Sequence, residues 1–150
     1  MTLVTHLPPS IVALVLFALW TIALVLMVGI ERVILVARGH IKSSDITPGA
    51  PHGNAAYWRM NRAHMNAAEN LAIFATVVLA GYAVGQESSL FNLLAMAVLV
   101  ARIVQSLIHI VSGSSLATSL RFAAFGVQLL LQIWMAVLIL QNHPSFHTGL

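Results

Sequence analysis

The sequence predicts an all-α protein, an integral membrane four-helix up-down bundle, and three observations carry that reading. Of 150 residues, 59% are hydrophobic and only 7% are charged, whereas about a quarter of an ordinary soluble domain is charged. The apolar runs are long enough to cross a hydrocarbon core of about 30 Å. Between them lie breaks of turn chemistry, such as Pro51-His52-Gly53-Asn54 and Ser112-Gly113-Ser114-Ser115.

Ile11 to Ile30 carries no charged residue, which places a first helix at about residues 10–37. This segment reads as a retained anchor and not as a signal peptide. No basic stretch precedes it, and Glu31-Arg32 stands where a small-residue cleavage site belongs. The second helix, at about 57–84, joins the apolar run Leu71–Gly85 to a charged stretch before it. The third, at about 88–112, is apolar apart from Arg102, Gln105 and His109. The fourth, at about 117–141, contains Phe122–Leu140, broken only by Gln128 and Gln132. Gly39–Ala56 is the one long connection; the later turns are short, so consecutive helices are antiparallel neighbours. No internal repeat divides the chain, and residues 1–150 read as a single domain.

Five of the seven Lys and Arg residues (Arg32, Arg38, Lys42, Arg59 and Arg62) fall around the first loop. The positive-inside rule then places that loop in the cytoplasm and both termini on the opposite side. The net charge of +3 comes from this one end, so it speaks of topology and not of nucleic acid. There is no cysteine, which excludes disulfides, thiolate metal sites and a cysteine nucleophile. No residue is assigned to a metal. Any thiol chemistry must use a thiol brought by the substrate.

Arg59-Met-Asn-Arg62-Ala-His64-Met-Asn66-Ala-Ala-Glu69-Asn70 is the chemically dense stretch. At about 100° per residue, Arg59, Arg62, Asn66, Glu69 and Asn70 share roughly a quarter to a third of the helix surface. Charges in lipid are costly, so this face is expected to look into a protected interior. Arg102, Gln105, His109 and Ser112 form a second polar stripe within about 80° of one face. Arg121, Phe125, Gln128 and Gln132 form a third. Polar groups in apolar helices need one another, so the three stripes are expected to meet at similar depth. A purely structural reading pairs Arg102 with Glu69 and uses the amides to join helices. It leaves an excess of arginine over glutamate, which an anionic ligand resolves through guanidinium–carboxylate forks.

The remaining polar and aromatic residues read as supporting parts. His64 stands off the main stripe, which points to packing or an interface. His64 and His109 do not share a depth, which argues against haem ligation. His6, His40, His52, His143 and His147 fall in loops or tails and read as solvated. Tyr57, Trp58 and Trp134 suit membrane interfaces, while Trp20 lies near mid-span and suits packing.

The segment Arg62-Ala63-His64-x-Asn66-x-x-Glu69-Asn70, followed by Phe74, resembles the signature of the MAPEG family, the membrane-associated proteins in eicosanoid and glutathione metabolism. Ala101-Arg102 with Gln105 and His109 resembles the family's third-helix pattern, and Arg121-x-x-x-Phe125 the start of its fourth. The likeness covers nearly the whole chain. It implies a homotrimer with glutathione, as co-substrate, bound between neighbouring subunits. Carried over residue by residue, it puts Arg62, Asn66 and Glu69 on the tripeptide, with Arg102, Gln105 and His109 in the same binding set. Arg121 becomes the catalytic residue that polarises the sulfur. The family also uses a basic residue near the end of helix one, for which Arg32 and Arg38 both qualify. Two departures bear on substrate. Eicosanoid-synthesising members often carry tyrosine where His109 and Phe125 stand, and the Arg102–Arg121 spacing is longer than in some relatives. A general glutathione transferase or peroxidase that detoxifies lipophilic electrophiles or hydroperoxides fits better than an eicosanoid synthase.

That chemistry is coherent without the name. A guanidinium beside a thiol favours the thiolate and lowers its pKa, while an apolar acceptor arrives from the membrane lipid. Two readings of other classes compete. A small oligomeric transporter would use Glu69 as a carrier carboxylate, but the surrounding arginines hold it ionised. A non-catalytic membrane scaffold would use the same bundle without turnover.

Overall fold

In a computed structural model, residues 7–46 and 54–141 are described; the expectations for His6, His52, His143 and His147 lie outside them. The elements are α1 (Pro9–Ala37), a 3₁₀ turn (Ser43–Asp45), α2 (Ala55–Ala83), α3 (Ser89–Val111) and α4 (Ser115–Gln141). Their lengths of 29, 29, 23 and 27 residues correspond to about 35 to 43 Å at 1.5 Å per residue. All four helices are long and apolar enough to cross a membrane.

Local chemistry sets the ends. Pro9 opens α1 at its first position, where a missing N–H costs nothing. The side chains of Asn54 and Ser88 accept from Tyr57 N and Phe91 N at 2.8 and 3.3 Å, capping α2 and α3. Ser114 Oγ accepts from Ala117 N at 3.2 Å at the start of α4. α1 and α2 both end in a left-handed glycine, Gly39 and Gly85, each with φ near 70°. After Gly85 the chain closes back through Gln86 N to Gly81 O at 2.8 Å, a Schellman-type stop.

Long-range contacts fix the topology. Arg32 at the end of α1 meets Tyr57 at the start of α2, and Arg59 of α2 meets Ile110 at the end of α3. Gln86 in the second turn meets Leu138 at the end of α4. Ser10 at the start of α1 meets Asn92 at the start of α3. Successive helices therefore alternate in direction. α1 packs on α2 and α3, and α4 packs mainly on α3, so α1 and α4 take opposite flanks of the central pair.

The core is aromatic and small-residue in character: Phe17, Ala67, Phe74, Val78, Phe91, Ala95, Val98 and Met135. The Phe17 and Phe74 rings lie 5.5 Å apart, inside the range of favourable aromatic contact. A Cβ on Gly81 would stand 2.5 Å from Phe91 Cζ, so α2 and α3 approach closely because position 81 has no side chain. The outward faces of α1 and α4 are apolar, with Val25, Leu26, Ile30 and Val33 on one and Leu130, Ile133 and Trp134 on the other.

Candidate functional site

The charged face of α2 does not point where the charge argument expects. Arg62 and Glu69 are exposed on the single chain and Asn66 is half-buried. Of that face only Asn70 enters the bundle. The interior side of α2 is taken by Ala67, Phe74 and Val78, from which Arg62 and Glu69 stand roughly 150° around the helix. Small and aromatic groups fill the core more cheaply than ions that must be desolvated and paired. Arg62, Asn66 and Glu69 make no side-chain hydrogen bond to another described residue. They form an open ladder along the outside of α2.

A cationic cluster gathers at the end of the bundle that carries the first loop and the third turn. Arg59 Nε donates to the Ile110 carbonyl at 3.1 Å. Arg121 Nη1 reaches the Ser112 carbonyl at 3.5 Å, and its Nη2 donates to Thr118 Oγ1 at 2.6 Å. Both arginines thus sit on the carbonyl end of α3, whose last carbonyls lack helical partners and carry partial negative charge. His109 on that same end lies within the fields of Arg121, Arg62 and Arg59. Arg32 on α1 donates from Nε to Tyr57 Oη at 2.6 Å, and its field reaches His64. Arg38 lies beyond, exposed at the C-cap of α1. Of the two helix-one arginines, Arg32 is the one tied to α2.

Deeper in the bundle, the stripes of α3 and α4 do meet. Gln105 Nε2 donates to the Arg121 carbonyl at 2.9 Å, and Gln105 Oε1 accepts from Gln128 Nε2 at 3.1 Å. One turn further in, Gln132 Nε2 donates to Asn70 Oδ1 at 2.8 Å, which ties α4 to α2. Arg102 is only 1% exposed. Its guanidinium lies 5.6 Å from the Phe17 ring centroid, a cation–π distance, and within the field of Glu69. Its Nε and Nη2, with Ser106 Oγ, Asn70 Nδ2 and the oxygens of Gln128 and Gln132, are buried with no hydrogen-bond partner among the described residues.

The expected site residues therefore divide in two. Arg32, Arg62, Asn66, Glu69 and Arg121 belong to the α2 ladder and the cationic end, while Arg102, Gln105 and His109 are buried, His109 at the cationic end. Tyr57 is buried at the α1–α2 contact, where its hydroxyl accepts from Arg32. No local pattern announces that pairing, because a long loop separates the partners. Arg59 as a cap on α3 has a clearer signal, since a cation on the helix face beside an uncapped carbonyl end is a recurrent arrangement. Along the outside of α1, an open apolar groove of about 500 Å³ is lined by Val25, Leu26, Gly29, Ile30, Val33 and Ile34. Val33 also lines a second hollow of about 360 Å³ that includes Arg32 and Ser43.

No curated protein and no solved structure matches the chain significantly. A family comparison does match, and it spans all four helices, from residue 10 to residue 141. The family includes glutathione transferases and related enzymes, and with four membrane-length helices the match marks an integral membrane protein. The chain belongs to the MAPEG family.

Proposed function

We propose that this protein is a membrane-bound glutathione-dependent transferase or peroxidase acting on lipophilic electrophiles or hydroperoxides. The observation that carries the reading is the open ladder Arg62–Asn66–Glu69 beside the cationic end of the bundle. Arg62 and Glu69 are separated by about 10 Å along the helix, close to the reach of an extended tripeptide at about 3.5 Å per residue. Guanidinium and carboxylate at the two ends match a ligand that bears carboxylates and an amine. Arg32 and His109 extend the binding set, while buried Arg102 lies within the field of Glu69.

Arg121 is the residue for the sulfur. Its guanidinium is held by Ser112 and Thr118, so it presents a preoriented charge. Such a charge stabilises thiolate over thiol and acts without reorganisation during the reaction. The thiolate then forms a C–S bond to a lipophilic electrophile as the leaving group departs. With a hydroperoxide it takes the outer oxygen, the O–O bond breaks and the alcohol leaves, and a second glutathione reduces the sulfenic acid to disulfide and water. Catalysis comes from positioning and electrostatics.

The exposed ladder also supports assembly. Charges facing lipid cost several kcal/mol each by most measures (about 2.5–3.5 on insertion scales). A second copy that covers the α2 face removes that cost and encloses the ligand, in keeping with a homotrimer. The excess of basic residues at this end supports a cytoplasmic site mouth.

Heat stability of the full-length protein in detergent tests the reading. Saturating glutathione is expected to raise the melting temperature, because a ligand that binds only the folded state stabilises it by mass action. Free cysteine, which lacks the tripeptide's span, does much less. Identical melting curves with and without glutathione would contradict the proposal.

A further inference from the structure

The cationic end works only if α4 stands in one register against α3, because the Arg121 guanidinium moves with its helix. In a membrane, apolar packing between helices has no hydrophobic driving force behind it, so interhelical hydrogen bonds weigh more in setting that register. The polar contact that does so is local and specific. Gln105 is 5% exposed and Gln128 is fully buried. One face of the Gln105 amide donates to the Arg121 carbonyl at 2.9 Å, and the other accepts from Gln128 at 3.1 Å. Gln128 is itself braced, donating to the Ala124 carbonyl at 3.0 Å. Arg121 and Gln128 lie two turns apart on one face of α4, about 10 Å along its axis. A single side chain on α3 thus holds α4 at two heights, which restrains both sliding and rotation. Only a group with donor and acceptor on one rigid plane satisfies both contacts.

We infer that Gln105, braced by Gln128, is a positioning residue for the sulfur site, acting through Arg121 and not by touching glutathione. The inference rests on the functional reading above. Coulomb's law sets the scale of the effect. With an effective dielectric constant of about 20, moving a guanidinium from about 4 Å to about 6 Å from a thiolate weakens their attraction by roughly one pKa unit, a tenfold change in the thiolate-to-thiol ratio. Binding of the tripeptide, held by the α2 ladder, is then largely preserved while sulfur activation falls.

The test compares wild type with Gln105→Met and Gln128→Met as full-length proteins in detergent. Glutathione affinity is measured by equilibrium binding, and the pKa of the bound thiol by a pH titration of thiolate absorbance. Methionine keeps the length and removes the amide, so packing changes little. Gln105→Met is expected to raise the bound thiol's pKa by about one unit with affinity nearly unchanged. Gln128→Met, which leaves the bond to the Arg121 carbonyl intact, moves it less and in the same direction. Gln105→Glu keeps the acceptor and loses the donor, and it is expected to resemble Gln105→Met. If Gln105→Met does not fold, the Gln128 and glutamate variants carry the same comparison. A lowered wild-type thiol pKa that none of the variants shifts overturns the inference alone. Loss of affinity in Gln105→Met without a pKa change also overturns it, in favour of direct contact. A wild-type protein that binds no glutathione overturns the functional reading, and this inference falls with it.

Discussion

Two arginines whose fields both reach His109 are assigned different work, and their variants should separate it. Arg121 is held at the carbonyl end of α3, and in the proposed mechanism its charge acts on a thiolate that forms only during activation. Arg121→Ala is expected to reduce turnover by about 10²–10³, the usual loss for one preorganised electrostatic contact, with a smaller loss of glutathione binding. Arg121→Lys keeps the charge without the fork and restores part of the rate. In the proposed complex Arg62 pairs with a carboxylate present in both thiol and thiolate forms. Arg62→Ala is therefore expected to weaken binding by about 1.5–3 kcal/mol, the worth of a charged hydrogen bond. Steady-state kinetics with a lipophilic aryl halide, beside equilibrium binding, checks both. The chemical identity of these residues was legible in the sequence, since arginine and glutamate in an apolar helix stand out by cost alone. Their direction was not. Periodicity defines a face of α2, but whether that face meets the core or the outside depends on whether Phe74 and Ala67 fill the interior first. The Arg32–Tyr57 pair was hidden for a related reason: neither residue's neighbours in sequence encode a contact made across a loop.

At the level of helices, the apolar runs locate all four elements, and the differences sit at their starts. α2 begins at Ala55 and α4 at Ser115, each two residues before the expected onset. Hydropathy marks where the oil begins, whereas a helix begins at its cap, here Asn54 and Ser114. Glycine 81 gives the sharpest test of how α2 and α3 fit. A methyl group there collides with the Phe91 ring, which is fully buried. Gly81→Ala is expected to destabilise the protein by about 1–3 kcal/mol, the usual cost of overpacking. At Gly126 a Cβ meets nothing within 4 Å, so Gly126→Ala gains helix propensity and is expected to be neutral or stabilising by up to about 1 kcal/mol. Thermal unfolding of the two variants in the same detergent compares them. Equal melting temperatures would contradict the close α2–α3 approach.

For the whole molecule, the four-helix architecture was legible because lipid leaves few alternatives: backbone polar groups must be satisfied within helices. What the sequence alone did not yield is the outward display of the α2 ladder on the single chain. The topology has its own test. A reporter at Gly49 is expected to label from the cytoplasm and one at the C-terminus from the other side; the reverse pattern would move the site mouth. The central claim is that this bundle binds glutathione and ionises its thiol. Its most direct test is ultraviolet thiolate absorbance during titration of the purified protein with glutathione at a pH well below the free thiol's pKa. A saturable thiolate signal is expected, lost in Arg121→Ala and requiring a much higher glutathione concentration in Arg62→Ala. A wild-type protein that shows no thiolate signal at any glutathione concentration would contradict it.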